Sequence, residues 1–211
     1  GMQMYRQELI DFKNLLEETF ETAIPDDAVR EQIHIRNEIN AALVRLQYTM
    51  AHNPAPVSGL DIINTVYNIG FRVSTEGLAE EIDDITAKIE QEYASGSNVG
   101  DKKRILLTGS PSGGAALKVV RAIEANGGVV VCFENCTGMK PLDPVDETNP
   151  DVYGALAEKY LNIGCSCMSP NKNRMALLDR LIDDFQVDGV VDLVLQACHT
   201  YNVETGMVRK L

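Results

Sequence analysis

The chain has 211 residues, 45% of them hydrophobic, with 19 basic and 31 acidic residues that give a formal net charge of −12. This acidic balance, without any run of Lys and Arg, argues against nucleic acid or an anionic membrane as a partner. No apolar run approaches the roughly 20 residues of a membrane span, and the N-terminus lacks a signal-peptide pattern, so we expect a cytoplasmic protein.

The spacing of apolar residues in residues 1–96 predicts an all-helical region. Apolar residues recur at intervals of three and four from Leu9 to Phe20, and the same spacing returns after Pro25. Prolines in "HNPAP" end the second helix, a third helix is predicted to begin near Ser58, and a fourth to end near Gly96. The stretch "SGSNVGDKK" then reads as a linker.

From Arg104 onward the pattern changes to short apolar runs separated by helical stretches. "RILLTG" and "GVVVCF" are typical of buried parallel strands, and "GGAALKVVRAIEANGG" between them predicts a helix. Two further helices precede a third strand, "VDGVVDLVLQAC", predicted to end at Cys198. Residues 104–211 thus predict an α/β domain with an open, mostly parallel sheet of the Rossmann-like or flavodoxin-like kind. We expect the four preceding helices to pack against this sheet as a cap or arm.

Four of the five cysteines fall near the predicted ligand-binding edge of such a sheet, outside the carboxyl ends of the strands. Cys136 follows the second strand, Cys198 ends the third, and Cys165 with Cys167 occupies a loop between two helices. Cys132 lies inside the second strand, where we expect a buried thiol without a ligand role. An odd number of cysteines in a chain with a sizeable core predicts reduced thiols.

The cysteine spacing leaves several chemistries open. A zinc site favours Cys-x₂₋₄-Cys pairs and a redox site favours Cys-x-x-Cys, and neither pattern is matched well. Iron–sulfur clusters accept wide, discontinuous spacing, such as that of residues 136, 165 and 198. For any single cysteine, a buried thiol that binds nothing explains the sequence equally well.

The loop between the first strand and its helix is a candidate anion site, because backbone N–H groups at a helix N-terminus can hold a phosphate. Its candidate residues are Gly109, Ser110, Gly113 and Gly114. Their spacing matches neither GxGxxG nor GxxxxGK[ST], and a tight strand-to-helix turn explains the glycines as well.

Polar residues beside the cysteines are candidates for catalysis or for support of a cluster. His199, next to Cys198, could relay a proton or be a polar loop residue, and Ser110 is a second catalytic candidate. Glu134 and Asn135 could hydrogen-bond around the site, although a turn or helix-cap role fits them better.

Four motifs in order, "RILLTGSPSGG", "ENCTGMKPLD", "LNIGCSCMSPN" and "VDGVVDLVLQACHTYNVE", together with "PVSGLDIINTVY", resemble the family of 2-hydroxyacyl-CoA dehydratase and benzoyl-CoA reductase subunits. They are most similar to its double-cubane cluster protein branch, and the likeness extends from about Tyr5 to the C-terminus. Members of this family are oxygen-sensitive, anaerobic iron–sulfur proteins. Cysteines of two similar α/β domains hold their clusters, and electrons come from a separate ATP-hydrolysing activator protein.

The resemblance implies that Cys136, Cys165 and Cys198 are metal ligands of a [4Fe-4S] or double-cubane cluster, with Cys167 less suited. The chain would belong to an ATP-dependent low-potential reductase system, a lyase or oxidoreductase that passes an electron from the cluster to a small molecule or acyl-CoA. Implied partners are the activator protein, a homologous subunit in a homo- or heterodimer, and that substrate. The alternative is a cluster-free α/β binding or subunit-interface module that recognises a CoA-type anion.

Within the Cys-x-Cys pair we expect Cys165 to face the site and Cys167 to turn toward the core, because an extended stretch sends alternate side chains to opposite sides. Gly164 would give the backbone of Cys165 room to approach a bulky cluster. A disulfide between the two would close a very short, strained ring.

The sequence departs from the family in two respects. Members have an α/β domain before the point that corresponds to residue 1, and a strand and helix beyond Leu211. We therefore expect a fragment that is inactive alone and that carries no cluster when purified in air. Ser110 stands where many relatives carry cysteine, so that position can donate a hydrogen bond but cannot supply a thiolate.

Overall fold

The computed structural model describes residues 1–111, 113–114 and 117–211. Within them the elements are α1 (Met2–Phe20), α2 (Asp26–Tyr48), a 3₁₀ turn (Thr49–Ala51), α3 (Gly59–Ile69), α4 (Leu78–Ala94), β1 (Lys103–Gly109), α5 (Leu117–Ala125), β2 (Gly128–Phe133), α6 (Val152–Asn162), α7 (Lys172–Asp184), β3 (Gly189–Leu193) and α8 (His199–Val208). None of the helices in this described part is both long and apolar enough to cross a membrane. The predicted α/β fold is confirmed.

The sheet has three parallel strands in the order β2-β1-β3. Leu107 of β1 is aligned with Phe133 of β2, and Gly109 of β1 with Leu193 of β3. The predicted parallel pairing of "RILLTG" with "GVVVCF" is therefore confirmed. All residues of β2 are buried, which explains why its sequence is an unbroken apolar run.

The third strand is shorter than the sequence predicts. β3 ends at Leu193, and the chain then turns, with the N–H of Cys198 donating to the carbonyl of Leu195 at 3.0 Å. Ala197 has a φ of 65°, in the left-handed region that an extended strand does not contain. The prediction that the strand continues to Cys198 is thus wrong, and Cys198 is instead the residue that precedes α8.

The first half of the chain packs onto the sheet through α3. Ser58 caps this helix by accepting a hydrogen bond from the N–H of Asp61, which confirms the predicted helix start. A Cβ on Gly59 would lie 2.2 Å from the carbonyl oxygen of Val130 in β2, so the helix and the strand meet backbone to backbone. One apolar core spans both halves and includes Ile39, Leu46, Ile63, Ile82, Leu106, Val130 and Leu181. The division into regions 1–96 and 104–211 stays a prediction.

Arg104 of β1 also joins the two halves. Its guanidinium is buried and donates to the carbonyls of Met50 at 2.7 Å, His52 at 2.8 Å and Phe185 at 2.8 Å. These three carbonyls come from the segment after α2 and from the end of α7. A single side chain therefore satisfies backbone groups of the helical half and of the α/β half.

Candidate functional site

Four loops lie at the carboxyl edge of the sheet. Because the strands are parallel, Ser110 after β1, Cys136 after β2 and Cys198 beyond β3 all belong to this edge. The loop with Cys165 precedes α7, which returns the chain to the start of β3, so α7 also begins at this edge. The topology thus brings together the loops that contain the three predicted ligands.

Hydrogen bonds join these loops directly. The hydroxyl of Ser166 donates to the hydroxyl of Thr200 at 3.2 Å, which links the Cys-x-Cys loop to the start of α8. The N–H of Leu195 donates to the hydroxyl of Ser110 at 3.3 Å, which links the segment after β3 to the end of β1. The loops after β1 and β3 and the loop before α7 therefore form one connected surface.

The surroundings of Cys198 favour its thiolate. The backbone N–H of Tyr201 and the hydroxyls of Thr200 and Ser110 lower the pKa of the Cys198 thiol, because donors stabilise the charged form. The Thr200 oxygen lies 3.6 Å from the Cys198 sulfur. Ser110 is therefore one of the donors to the predicted ligand.

The Cys-x-Cys pair lies in a turn rather than in an extended stretch, since the N–H of Met168 donates to the carbonyl of Cys165 at 2.9 Å. Cys165 is half-buried and Cys167 is exposed, and both thiols are free. The expectation that Cys167 turns toward the core is therefore wrong, because side chains alternate between two sides only along extended backbone.

The two thiols of this pair are not equivalent. The backbone N–H and the S–H of Cys167 donate to the Cys165 sulfur and, with a contribution from Lys140, lower the pKa of the Cys165 thiol. The hydrogen bond to Cys165 and the charge on Cys165 raise the pKa of the Cys167 thiol. The pair thus favours a thiolate at Cys165, the residue that we expect to be the ligand.

A group of buried charged side chains lies beneath these loops, and the sequence analysis did not predict it. This buried ionic cluster consists of Glu134, Lys140, Arg174 and Glu204, all at most 7% exposed. The guanidinium of Arg174 lies 2.5 Å from Glu204 and 3.4 Å from Glu134. Arg174 also donates to the Thr108 hydroxyl at 2.8 Å, and that hydroxyl donates to Glu134.

Lys140 connects the buried ionic cluster to the thiols. Its ammonium lies 3.1 Å from Glu134 and donates to the Tyr201 hydroxyl at 2.9 Å. Burial alone would lower the pKa of Lys140, but Glu134, Tyr201 and Cys136 together raise it above its ordinary value. Since Lys140 interacts electrostatically with both Cys136 and Cys165, it is a fixed cation within reach of two predicted ligands.

Asn171 connects the Cys-x-Cys loop to the buried ionic cluster. Its side-chain N–H₂ donates to the carbonyl of Cys165 at 2.9 Å and to Glu204 at 2.7 Å. Asn171 also stands directly before Lys172, the first residue of α7. The position of Cys165 is therefore coupled to a buried carboxylate and through it to Arg174.

The two polar residues after β2 have different roles. Asn135 has the turn role that the sequence favours, since its side-chain oxygen accepts from the N–H of Thr137 at 3.1 Å. Glu134 instead is fully buried and ion-paired. The sequence signal was the presence of the oppositely charged Glu134 and Lys140 in the motif "ENCTGMKPLD". Nothing in that stretch identifies Arg174, the second cation that pairs with Glu134.

Comparison with known proteins identifies the family. A family model described as 2-hydroxyglutaryl-CoA dehydratase, D-component, matches residues 1–211. The chain belongs to this family. It is 45% identical over 207 residues to a relative in Escherichia coli (strain K12) that carries the name dehydratase subunit YjiM, and the match covers 98% of this chain and 54% of the relative. The chain thus spans about half the length of that relative.

The thiols of this family member fit an iron–sulfur cluster by their chemistry. Among the described residues, no three His, Cys, Asp or Glu side chains are arranged to hold a single metal ion. Ligands of one ion lie close together, whereas thiolates on a cubane lie about 6 to 7 Å apart, so the two arrangements differ. The pKa values of the thiols of two predicted ligands, Cys165 and Cys198, are lowered by hydrogen bonds, which favours the thiolate form that binds metal. The ligand roles of Cys136, Cys165 and Cys198 stay predictions.

Packing accounts for two glycines of the candidate anion loop. Gly109 has a φ of 101°, and a Cβ there would lie 2.3 Å from the carbonyl oxygen of Leu193, so only glycine fits. A Cβ on Gly113 would lie 2.4 Å from the ring of Tyr67. The rest of the predicted strand-to-helix turn includes Ser112, Ala115 and Ala116, which lie outside the described residues. Anion binding by Gly109, Ser110, Gly113 and Gly114 stays a prediction.

The remaining cysteine, Cys132, is buried, and the catalytic candidate His199 is exposed. Cys132 is 3% exposed within the apolar core, and burial raises the pKa of its thiol, so the predicted buried thiol is confirmed. His199 is exposed at the first residue of α8. Its catalytic role stays a prediction, as does that of Ser110.

Proposed function

We propose that this chain binds an iron–sulfur cluster through Cys136, Cys165 and Cys198 and forms the cluster-bearing part of a 2-hydroxyacyl-CoA dehydratase-like component. The observation that carries the proposal is the convergence of three cysteine loops at the carboxyl edge of one parallel sheet. Membership of the dehydratase D-component family supports it.

The chain's own residues would prepare and hold the ligands. Hydrogen bonds favour thiolates at Cys165 and Cys198, which is the form that binds iron. Lys140 would offset part of the negative charge that thiolates and an iron–sulfur cluster bring to the site. The hydrogen bond from the Asn171 side chain to the carbonyl of Cys165 fixes the backbone at that residue. A bound cluster would supply one-electron transfer at low potential.

The proposed system contains further components. A D-component implies a partner subunit. We propose that electrons reach the cluster from an ATP-hydrolysing iron–sulfur activator protein, and that a small molecule or acyl-CoA accepts them. The site faces outward at Cys136 and Cys167, which are exposed, so a second protein surface can approach it.

The test is anaerobic reconstitution of the 211-residue chain with iron and sulfide, followed by metal and sulfide analysis. The wild-type chain should bind about four irons with an equal amount of sulfide. Cys136→Ser, Cys165→Ser and Cys198→Ser should each lose most of this iron and the visible absorption of the cluster. Cys167→Ser is the matched control and should keep both.

Two results would contradict the proposal. If the reconstituted wild-type chain binds no iron and sulfide, the chain does not carry a cluster. If Cys167→Ser loses the cluster while Cys165→Ser keeps it, the ligand assignment within the pair is reversed.

A further inference from the structure

A cavity of about 500 Å³ lies between α2, α3, α6 and the loop that follows β2. Its walls are largely apolar, and the buried side chains that line it are Ile39, Leu43, Val66, Ile69 and Leu142. Phe71 and Tyr160 also line it and are 69% and 47% exposed, so large aromatic surface stays open to solvent beside the cavity. Its volume is within the range of about 300 to 1,000 Å³ that is usual for small-molecule sites.

Two cations line the same cavity, Arg36 from α2 and Lys159 from α6. Within the described part of the chain, neither has a carboxylate at ion-pair distance. Burial lowers the pKa of Lys159; the attraction of Asp143, which lies beyond ion-pair distance, raises it, and the repulsion from Arg36 adds a smaller lowering. The ammonium also lies 4.7 Å from the ring centre of Tyr160.

A cation that is partly removed from water without an ion-paired anion is unfavourable for the empty protein, and this applies to Lys159. An anion bound between Arg36 and Lys159 would compensate both charges and gain charge-assisted hydrogen bonds, which the guanidinium can make in pairs to a carboxylate. The apolar walls add a second requirement, because an ion without an apolar body would leave them in contact with water.

We propose that this cavity binds a small organic carboxylate with an apolar body, whose charged group lies at Arg36 and Lys159 and whose carbon chain packs on the walls formed by α2 and α3. The site does not depend on the proposed cluster. Cys136 lies on its wall, and Leu142 belongs to the same loop, but the two cations and the other buried apolar side chains belong to α2, α3 and α6.

The experiment is calorimetric titration of the cluster-free 211-residue chain with hexanoate at pH 7. Two comparison ligands separate the two contributions: hexan-1-ol keeps the chain without the charge, and acetate keeps the charge without the chain. Hexanoate should bind with one-to-one stoichiometry. Acetate should bind at least about 100-fold more weakly, given about 0.8 kcal/mol for each buried CH₂ group.

Matched variants test the cations. Arg36→Met and Lys159→Met should each weaken hexanoate binding by about 10-fold, the usual scale for one charge-assisted contact, and leave hexan-1-ol binding unchanged. Lys88→Met removes an exposed positive charge from α4, away from the cavity, and should bind hexanoate like the wild type. Unfolding curves of all three variants check that each is folded.

The proposal is overturned if hexanoate does not bind, if it binds no more tightly than acetate, or if Lys159→Met and Lys88→Met bind it equally. Because the titration uses protein without iron, its result is independent of the reconstitution that tests cluster binding. Hexanoate should also slow alkylation of Cys136, measured by mass spectrometry, and leave Cys167 unaffected.

Discussion

Arg174 is the residue on which the site depends most, because it is fully buried and compensates two carboxylates. Removing one partner of a buried ion pair leaves a charge without compensation, which is far more costly than losing an exposed pair. The same guanidinium holds Glu204, which in turn holds Asn171 below the Cys-x-Cys loop.

Arg174→Met should therefore lower the free energy of unfolding by about 3 to 5 kcal/mol. The measurement is urea denaturation followed by circular dichroism. Arg180→Met, an exposed change six residues further along α7, is the control and should stay within about 0.5 kcal/mol of the wild type. Equal stability of the two variants would contradict the role of Arg174.

Ser110 provides a prediction about pH. Its hydroxyl, after the N–H of Tyr201 and the hydroxyl of Thr200, contributes to the lowered pKa of Cys198. Losing a donor to the thiolate raises the thiol pKa, and only the thiolate reacts with iodoacetamide. Ser110→Ala should thus shift the rate profile of Cys198 alkylation to higher pH, measured residue by residue with mass spectrometry. Ser95→Ala, on the surface, should leave the profile unchanged, and an unchanged profile in Ser110→Ala would show that this bond does not act on Cys198.

The sequence predicts the position of a single residue only where that position follows from the secondary structure of its own segment. Cys132 lies inside β2 and Cys136 lies just after its end, and both positions are as predicted. The buried ionic cluster does not follow, because Arg174 bonds to Thr108 across 66 residues and Lys140 to Tyr201 across 61 residues. Charged residues are usually exposed, so a sequence gives no sign that these four are paired inside the molecule.

For the helices and strands, hydrophobic periodicity predicts most helices and all three strands, because many of them bury one apolar stripe or, like β2, an entire run. The end of β3 was missed because the apolar run continues through Leu195 into a turn set by the left-handed Ala197. The close packing of α3 on β2 could not be predicted either. Gly59 allows this packing because the carbonyl of Val130 lies opposite it, and the sequence does not show that these two residues meet.

Gly59→Ala should push α3 away from β2 and cost about 1 to 3 kcal/mol of unfolding free energy. Gly206→Ala is the matched control in α8, where an added Cβ meets nothing within 4 Å. In an exposed helix this change should stabilise by about 0.5 to 1 kcal/mol. Thermal unfolding of both variants measures the contrast, and a stabilised Gly59→Ala would show that α3 does not contact the strand this closely.

For the whole molecule, one apolar core and the three bonds of Arg104 connect the helical half to the α/β half. We therefore expect both halves to unfold in one cooperative transition. Hydrogen exchange in rising urea should give the same opening free energy for α3 and β2. Loss of protection in α2 to α4 well before β1 to β3 would instead favour two independently stable units.

We propose that Cys136, Cys165 and Cys198 together bind an iron–sulfur cluster. The most direct measurement is an anomalous difference map at the iron edge, from crystals of the anaerobically reconstituted chain. Iron peaks should be bonded to these three sulfurs, which should lie about 6 to 7 Å apart, and none should be bonded to Cys167. Iron bonded to Cys167 in place of Cys165 would contradict the ligand assignment, and iron bound away from all three cysteines would contradict cluster binding at this site.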